Sequence, residues 1–171
     1  DTPAKIENAV RRVPAAIQAF FEIPLEQDVR GLVAALAGEE NVAAKMRTGG
    51  VEPAMIPGPE PVARFILACA AANVAFKATA GLHHPIRAEQ PLTYDEQPTR
   101  AVMHGFLNVF LTAALAGATL LTLEEAVALL EQTSPEAFTF DDSGASCADR
   151  RLTLDQIDRA RREFALSFGS C

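Results

Sequence analysis

The sequence has few cysteines, no isolated basic cluster and no long hydrophobic run, and each absence excludes a class of protein. Cys69, Cys147 and Cys171 have neither CxxC spacing nor an even count, which excludes a disulfide framework and a zinc knuckle. The longest apolar stretches, 65–76 and 109–123, are interrupted by Cys, Asn, Thr and Gly and are too short to span a bilayer. The opening residues lack the pattern of a signal peptide, so a cytoplasmic protein is expected.

The chain is acidic. It has 15 Lys and Arg against 22 Asp and Glu, a formal net charge of −7. The densest basic segment, 150–162, alternates arginines with carboxylates, which is the pattern of a solvated helix face. We therefore expect neither nucleic acid nor a membrane as a partner.

With 171 residues, the chain is long enough for one domain with a sizeable core, and we expect a single α/β domain over 1–171. It starts at Asp1 without a methionine and stops at SFGSC, which is typical of the beginning of another strand. The chain is therefore expected to be a piece of a longer protein.

Extended and helical patterns alternate along the chain. Strands are predicted near 16–23, 42–47, 74–79 and 137–141. Helices are predicted from Thr2-Pro3 to Pro14 and over 26–38, 60–72, 99–116, 122–132 and 153–168. The segment 85–98 contains three prolines and is the longest irregular stretch, a candidate lid or active-site loop.

Strands joined by helices require crossover connections, which give a parallel sheet. The near-continuous apolar character of the first three strands indicates a sheet covered on both faces. Four such units make about half of a (β/α)8 barrel, so the expected fold is a partial or half TIM-barrel-like α/β structure. A small doubly wound sheet is the alternative.

Polar side chains recur on one face of each predicted strand, toward its C-terminal end, where ligands bind in both candidate folds. In strand order they are Glu22, then Lys45 and Arg47, then Lys77 and Thr79, then Thr139 and Asp141. Several charges in one core are costly unless they serve a ligand, although structural ion pairs are the alternative explanation.

Lys77 is the strongest catalytic candidate. A lysine that is desolvated, or crowded by cations such as Lys45 and Arg47, loses its proton more easily and becomes a nucleophile for a Schiff base. Glu22 or Asp141 would then transfer protons. We therefore expect lyase or aldolase-type chemistry on a small anionic carbonyl compound, phosphorylated or not, with His83 or His84 polarising the carbonyl group.

The segment RTGG after the second strand is a candidate anion clamp. The backbone N–H groups of Thr48, Gly49 and Gly50 follow the guanidinium of Arg47, which together with Lys45 suits a phosphate or carboxylate. A Gly-Gly pair after a strand is equally typical of a simple turn.

The histidines allow a second hypothesis. His83 or His84, with His104 and a carboxylate, could hold a divalent cation in a metal-dependent hydrolase or enolising enzyme; no other cofactor is predicted. Adjacent histidines on a strand end point to opposite sides, so only one would face the site. His104 and Asn108 share a predicted helical face and would bind substrate or form core hydrogen bonds.

A third hypothesis is a non-enzymatic ligand-binding or assembly domain whose charges form a structural network. An incomplete barrel exposes strand edges, which pair readily with another chain. A homo-oligomer is therefore expected in addition to a small anionic ligand.

Two sets of motifs resemble known families. RTGG, FKATAGLHHP and MHGFLNVF, with FDDSG and SFGSC, resemble a bacterial family of uncharacterised (β/α)-barrel-like proteins over most of the chain from about residue 44. This resemblance implies a barrel-like fold but does not point to a particular activity. FKATAG is similar to the Lys-Thr-Ser-Thr-Gly strand of class I deoxyribose-phosphate aldolases, whose lysine forms the Schiff base. That six-residue match implies Lys77 as the nucleophile and Thr79 near a hydroxyl position, although Ala78 departs from the motif.

Overall fold

A four-stranded parallel sheet is the centre of the fold. The structure is a computed structural model that describes residues 2–169. Its strands are β1 (Ala19–Glu22), β2 (Val42–Arg47), β3 (Phe76–Thr79), β4 (Ala88–Pro91), β5 (Arg100–Met103), β6 (Phe138–Asp141), β7 (Gly144–Cys147), β8 (Arg150–Thr153) and β9 (Ala165–Gly169). Its helices are α1 (Pro3–Val10), α2 (Arg30–Ala34), α3 (Pro59–Ala72), α4 (Phe106–Ala118), α5 (Leu123–Glu131) and α6 (Leu154–Arg159), which continues into a π-helical turn (Ala160–Phe164). The central sheet has the order β1-β2-β3-β9, and all its neighbours are parallel. The predicted α/β class is therefore confirmed.

Local sequence signals set the helix ends. Proline stands in the first turn of α1 and α3, where its missing N–H costs nothing. α5 and α6 begin with capping boxes, formed by Thr122 with Glu125 and by Thr153 with Gln156. α3 ends at Asn73, whose backbone is left-handed (φ 52°). These signals make α3 and α5 coincide with their predicted segments to within one or two residues.

Helices cover only one face of the parallel sheet. The strand side chains on that face are buried among residues of α1–α5; they include Ala44, Met46, Phe76, Ala78 and Ala165. The opposite face carries charged and polar side chains, and no helix within residues 2–169 contributes to a core there. Within residues 2–169, the predicted second covering layer is therefore not found. In the sequence, alanines such as Ala43 and Ala75 make the second face of the strands appear apolar. Their side chains are too small to provide the apolar surface that a covering layer of helices would bury.

A second, smaller core lies on the other side of α4. Strands β6, β7 and β8 form an antiparallel sheet that packs on helices through Phe138, Cys147 and Leu152. α4 contributes Val109 to the main core and Leu115 to the second one. The helix layer therefore separates the antiparallel sheet from the parallel sheet.

Several predicted elements differ from the structure; the helix predicted over 26–38, for example, is formed only by Arg30–Ala34. The strand predicted at 137–141 exists as β6, but it is antiparallel to β7, and the fourth parallel strand is β9. The helix predicted over 153–168 gives way to β9 after residue 164. The helix predicted over 99–116 begins only at Phe106, because 100–103 forms β5 and pairs with β4 in the segment predicted to be irregular.

The cysteines pack as small apolar side chains. Cys69 in α3 and Cys147 in β7 are buried free thiols, and burial raises the pKa of Cys147 to about 11. Cys171 lies outside the described residues. Among residues 2–169, no helix combines the length and the apolar character needed to cross a membrane.

Candidate functional site

Two rows of side chains cross the open face near the C-terminal ends of the parallel strands. Strand register defines the first row as Glu22, Lys45, Lys77 and Ser167. The second row, one layer closer to the strand ends, contains Arg47, Thr79 and Gly169. Neighbouring strands lie about 5 Å apart, so the members of a row are adjacent. The structure therefore brings together the polar residues predicted on the first three strands.

Glu22 forms ion pairs with both cations of β2. Its Oε2 lies 2.6 Å from Lys45 Nζ, and its Oε1 lies 3.5 Å from Arg47 Nε. These contacts, above all the hydrogen bond from Lys45, lower the pKa of the Glu22 carboxyl group. Glu22 is therefore a carboxylate at neutral pH that balances part of the positive charge of Lys45 and Arg47.

Lys77 has a different environment from Lys45. It has no carboxylate partner among residues 2–169, and its Nζ lies 4.4 Å from the centre of the Phe20 ring, a cation–π contact. Phe20 is on β1, so the Lys77 side chain extends across β2 to reach it. Ala43, the register partner of Phe20, is fully buried and leaves room for this path because its side chain is a methyl group.

The open face is positively charged, although the chain is negatively charged. The two rows contain three cations and one carboxylate, a formal charge of +2 in a chain of −7. Lys45 and Arg47 share the single charge of Glu22, and the Arg47 side chain is about half exposed. A planar guanidinium in that position can bind a carboxylate or phosphate through two parallel hydrogen bonds.

Backbone packing explains most of the RTGG segment. Thr48 is buried, and its hydroxyl donates to a backbone carbonyl of the loop after β3 at 2.6 Å. A Cβ atom on Gly49 would lie 2.8 Å from Gly81 Cα, so the two loops touch through bare backbone. A Cβ atom on Gly50 would collide with a methionine side chain of the following turn. Within this segment, Arg47 is the side chain that reaches the open face.

His83 and His84 lie in the loop after β3, at the predicted end of the sheet. His83 is exposed, His84 is half-buried, and their ring centres are 6.3 Å apart. The loop is anchored on α4, because the carbonyl of His84 accepts a hydrogen bond from the Phe106 N–H at 2.9 Å. Among residues 2–169, no hydrogen bond joins either imidazole to the two rows.

His104 and Asn108 are core residues. His104 lies in the link between β5 and α4 instead of in the predicted helix, and it is fully buried. Its Nε2 donates to the Pro57 carbonyl at 2.8 Å, so the Nδ1 lone pair faces the Arg87 guanidinium at 3.5 Å. Burial lowers the pKa of His104 to about 4. Asn108 accepts from the Arg87 N–H and donates to two carbonyls at the end of α5.

Asp141 and Thr139 do not belong to the two rows. Both lie in β6, beyond the helix layer, so their predicted position at the end of a fourth parallel strand is wrong. The Asp141 carboxylate accepts hydrogen bonds from Ser143 and Arg151, each at 2.7 Å, and these bonds hold its pKa well below the usual range. The alternating pattern of 138–141 is typical of an antiparallel strand with one solvated face.

The residues present do not fit a divalent-cation site. Among residues 2–169, no three His, Cys, Asp or Glu side chains are grouped so that they could hold a metal ion. His104, which the metal hypothesis requires, has both ring nitrogens engaged in the core. Glu22 is already engaged by two cations.

A large groove lies elsewhere, on the outer side of the helices. It encloses about 990 Å³ between α2 and α3, and its floor is apolar. Four of the charged groups at its rim are paired with each other, Arg30 with Asp28 and Arg64 with Glu60. Because this groove offers no converging polar groups, we place the candidate site on the open face of the sheet instead.

Sequence reasoning missed one residue of the first row, Ser167. The helical pattern over 153–168 included it in a helix, although SFGSC was identified as the beginning of a strand. Comparison of the chain with family models, with curated proteins and with solved structures finds no match. The geometry of the open face is therefore the basis of the function proposed below.

Proposed function

We propose that the open face of the parallel sheet is the active site of an enzyme that acts on a small anionic carbonyl compound, phosphorylated or not, with lyase or aldolase-type chemistry. The observation that carries this proposal is Lys77, a half-buried amine with no carboxylate partner among residues 2–169. It lies toward the C-terminal ends of parallel strands, where ligands of such sheets bind.

In the proposed reaction, Lys77 passes a proton through water to the Glu22 carboxylate, which lies two strands away, and the free amine attacks the carbonyl carbon of the substrate. The resulting carbinolamine loses its hydroxyl group as water, with the proton returned from Glu22 through water, and leaves an iminium. The iminium draws electrons, so the bond between the α and β carbons can break and leave its electron pair in an enamine. The β-carbon departs as a carbonyl compound while its hydroxyl group gives up a proton to water, and hydrolysis of the enamine releases the second product and frees Lys77. Either His83 or His84 is a further candidate for proton transfer.

The cations of β2 provide the binding half of the site. Arg47 lies one layer closer to the strand ends than Lys45, so both can face the same anionic group from one side. A carboxylate or phosphate held there places the rest of a small molecule over Lys77, on the neighbouring strand. Arg47→Ala is expected to weaken binding without removing the nucleophile.

Reductive trapping tests the proposal. Borohydride converts an iminium into a stable secondary amine, so candidate keto acids and aldehyde phosphates should leave a mass adduct on the wild-type chain. Lys77→Met should abolish the adduct, whereas Lys5→Met, which changes an exposed lysine of α1, should retain it. Absence of any adduct with every candidate compound would contradict the Schiff-base mechanism.

A ligand-binding domain without catalysis is the second candidate. It is favoured by the ion pairs of Glu22 and by the cation–π contact of Lys77, which give every charge of the two rows a structural partner. In that case Lys77→Met would change stability and leave ligand binding intact. Thermal-shift measurements with phosphosugars and keto acids on both chains would separate the two candidates.

We also infer that the open face is the interior of a partial (β/α)8-type barrel. Parallel sheets are almost always covered on both faces, and the outer edges of β1 and β9 remain free for pairing within the described residues. A homo-oligomer that pairs these strand edges is the expected state, and the buried free thiols fit a cytoplasmic location. Light scattering should show a dimer or larger assembly; a monomer at all concentrations would contradict the oligomer.

A further inference from the structure

We propose that Ser167 is a substrate-binding residue and that the substrate carries a hydroxyl group next to its carbonyl group. This inference rests on the proposed function of Lys77 and narrows its substrate class. The serine lies beside Lys77 in the first row. It is on the edge strand β9, whereas Glu22 is on the opposite edge strand, β1. A side chain in that position contacts the part of the substrate that the anion clamp does not hold.

A β-bulge places Ser167 in the first row. Phe76 pairs with Ala165, whereas Lys77 pairs with Ser167, so Leu166 is an extra residue in β9. Without the bulge, Leu166 would pair with Lys77 and present an apolar side chain beside the amine. Bulges next to active sites commonly re-aim a side chain in this way.

The packing of the next residue fixes which way Ser167 faces. Phe168 lies against α4, with its ring centre 5.5 Å from that of Phe106 and 5.3 Å from that of Phe110. Because successive side chains of a strand point to opposite faces, Ser167 faces the open side of the sheet. It is exposed there and can contact a ligand.

Ser167 is the hydroxyl of this face best suited to a ligand. The other hydroxyl, that of Thr79, already donates to the Met46 carbonyl at 3.2 Å. A serine hydroxyl both donates and accepts, so it pairs with a substrate hydroxyl in either direction. The strand spacing of about 5 Å lets Lys77 and Ser167 contact neighbouring carbon centres of one small molecule.

A matched pair of compounds tests the inference. Hydroxypyruvate and pyruvate are both anionic carbonyl compounds, and they differ by one hydroxyl group. We expect the concentration that gives half-maximal borohydride adduct on Lys77 to be about 3- to 10-fold lower for hydroxypyruvate, the range expected from one neutral hydrogen bond. Ser167→Ala should abolish this preference, whereas Ser167→Thr and the neighbouring control Leu166→Ala should keep it.

The possible outcomes separate the two proposals. If both compounds are trapped on Lys77 but the wild-type chain shows no preference, or Ser167→Ala keeps it, the role of Ser167 is wrong and the proposed function stands. If neither compound is trapped on Lys77 but an aldehyde phosphate is, the role of Ser167 is wrong and the proposed function stands. If no candidate carbonyl compound is trapped on Lys77, the Schiff-base function fails and the role of Ser167 fails with it.

Discussion

Lys45 and Lys77 are register partners on neighbouring parallel strands, yet only Lys45 has a carboxylate partner among residues 2–169. Strand order explains the difference, because Glu22 on β1 is adjacent to β2 and two strands away from β3. Lys77 instead lies over Phe20, one layer deeper. The two lysines therefore have separate roles in the proposed site: Lys45 holds the carboxylate and an anion, and Lys77 reacts.

Glu22→Gln should change ligand binding more than stability. Removing the carboxylate frees Lys45 and Arg47, so affinity for a dianion such as inorganic phosphate should rise several-fold in calorimetric titration. The free energy of unfolding should change by less than about 1 kcal/mol, because the ion pairs are partly exposed. The exposed neighbour Glu26→Gln is the matched control and should alter neither quantity. Unchanged phosphate affinity in Glu22→Gln would contradict the anion clamp.

Glu22→Gln should also change how the free energy of unfolding depends on pH. Lys45 lowers the pKa of Glu22 below its unfolded value of 4.5, so its stabilisation is present above pH 4.5 and is lost as the pH falls through the folded pKa. Wild type should therefore lose more stability than Glu22→Gln between pH 6 and pH 3, as measured by urea unfolding. Equal losses would show that the ion pairs contribute nothing.

His104 should make stability depend on pH in a different range. Its pKa is about 4 in the fold, against 6.5 for the ordinary group, so the unfolded chain binds the proton more readily. Stability is full above pH 6.5 and declines as the pH falls toward 4, by up to about 1.4 kcal/mol per pH unit from this group. His104→Leu should remove that slope, and it should cost about 2–4 kcal/mol at pH 7 because buried partners are left unpaired. His83→Gln, at an exposed position, is the control and should keep the pH dependence of stability. If His104→Leu also kept the wild-type pH dependence, the buried neutral imidazole would be contradicted.

Gly81 should tolerate alanine much less well than Gly38. Both have positive φ, +78° and +80°, but a Cβ on Gly81 would lie 2.9 Å from Gly49 Cα, whereas nothing lies within 4 Å of one on Gly38. Gly38→Ala should cost about 1 kcal/mol from backbone strain alone. Gly81→Ala should cost about 3 kcal/mol, because the two loops must also move apart. Equal midpoints in urea unfolding would contradict the close approach of these loops.

Asp141→Asn should leave the chemistry unchanged. The carboxylate is exposed, engaged by Arg151 and separated from the open face by the helix layer. Borohydride adduct formation should therefore match that of wild type, in contrast to Glu22→Gln, which should slow it. A loss of adduct in Asp141→Asn would show that the antiparallel sheet contributes to the site.

Alternation along single strands was enough to predict most of the first row. Glu22, Lys45 and Lys77 each stand at polar positions of otherwise apolar segments, and the two-residue period of a strand puts them on one face whatever surrounds it. Their shared height follows from parallel pairing, which the intervening helices made predictable. The local sequence pattern was therefore sufficient where the position of a side chain depends only on the alternation of faces within its own strand.

The missed features depend on contacts that a local pattern does not contain. The helical pattern of α6 continues through the π-helical turn, so nothing before residue 165 marks the beginning of β9. The bulge that selects Ser167 is a property of two strands together. His104 and Asn108 have the residue types of a ligand site, but long-range packing against Pro57 and α5 places them in the core. For β6 a signal was present, since its strict alternation favours an antiparallel strand.

The position of the borohydride adduct is the most direct test of the proposed site. The chain has only three lysines, Lys5, Lys45 and Lys77, so peptide mapping after reduction with a bound keto acid or aldehyde phosphate distinguishes them completely. We expect the modification on Lys77, with Lys45 and the exposed Lys5 unmodified at the same concentration. An adduct on Lys45, an even distribution over the three lysines, or no adduct at all would contradict Lys77 as the nucleophile of this face.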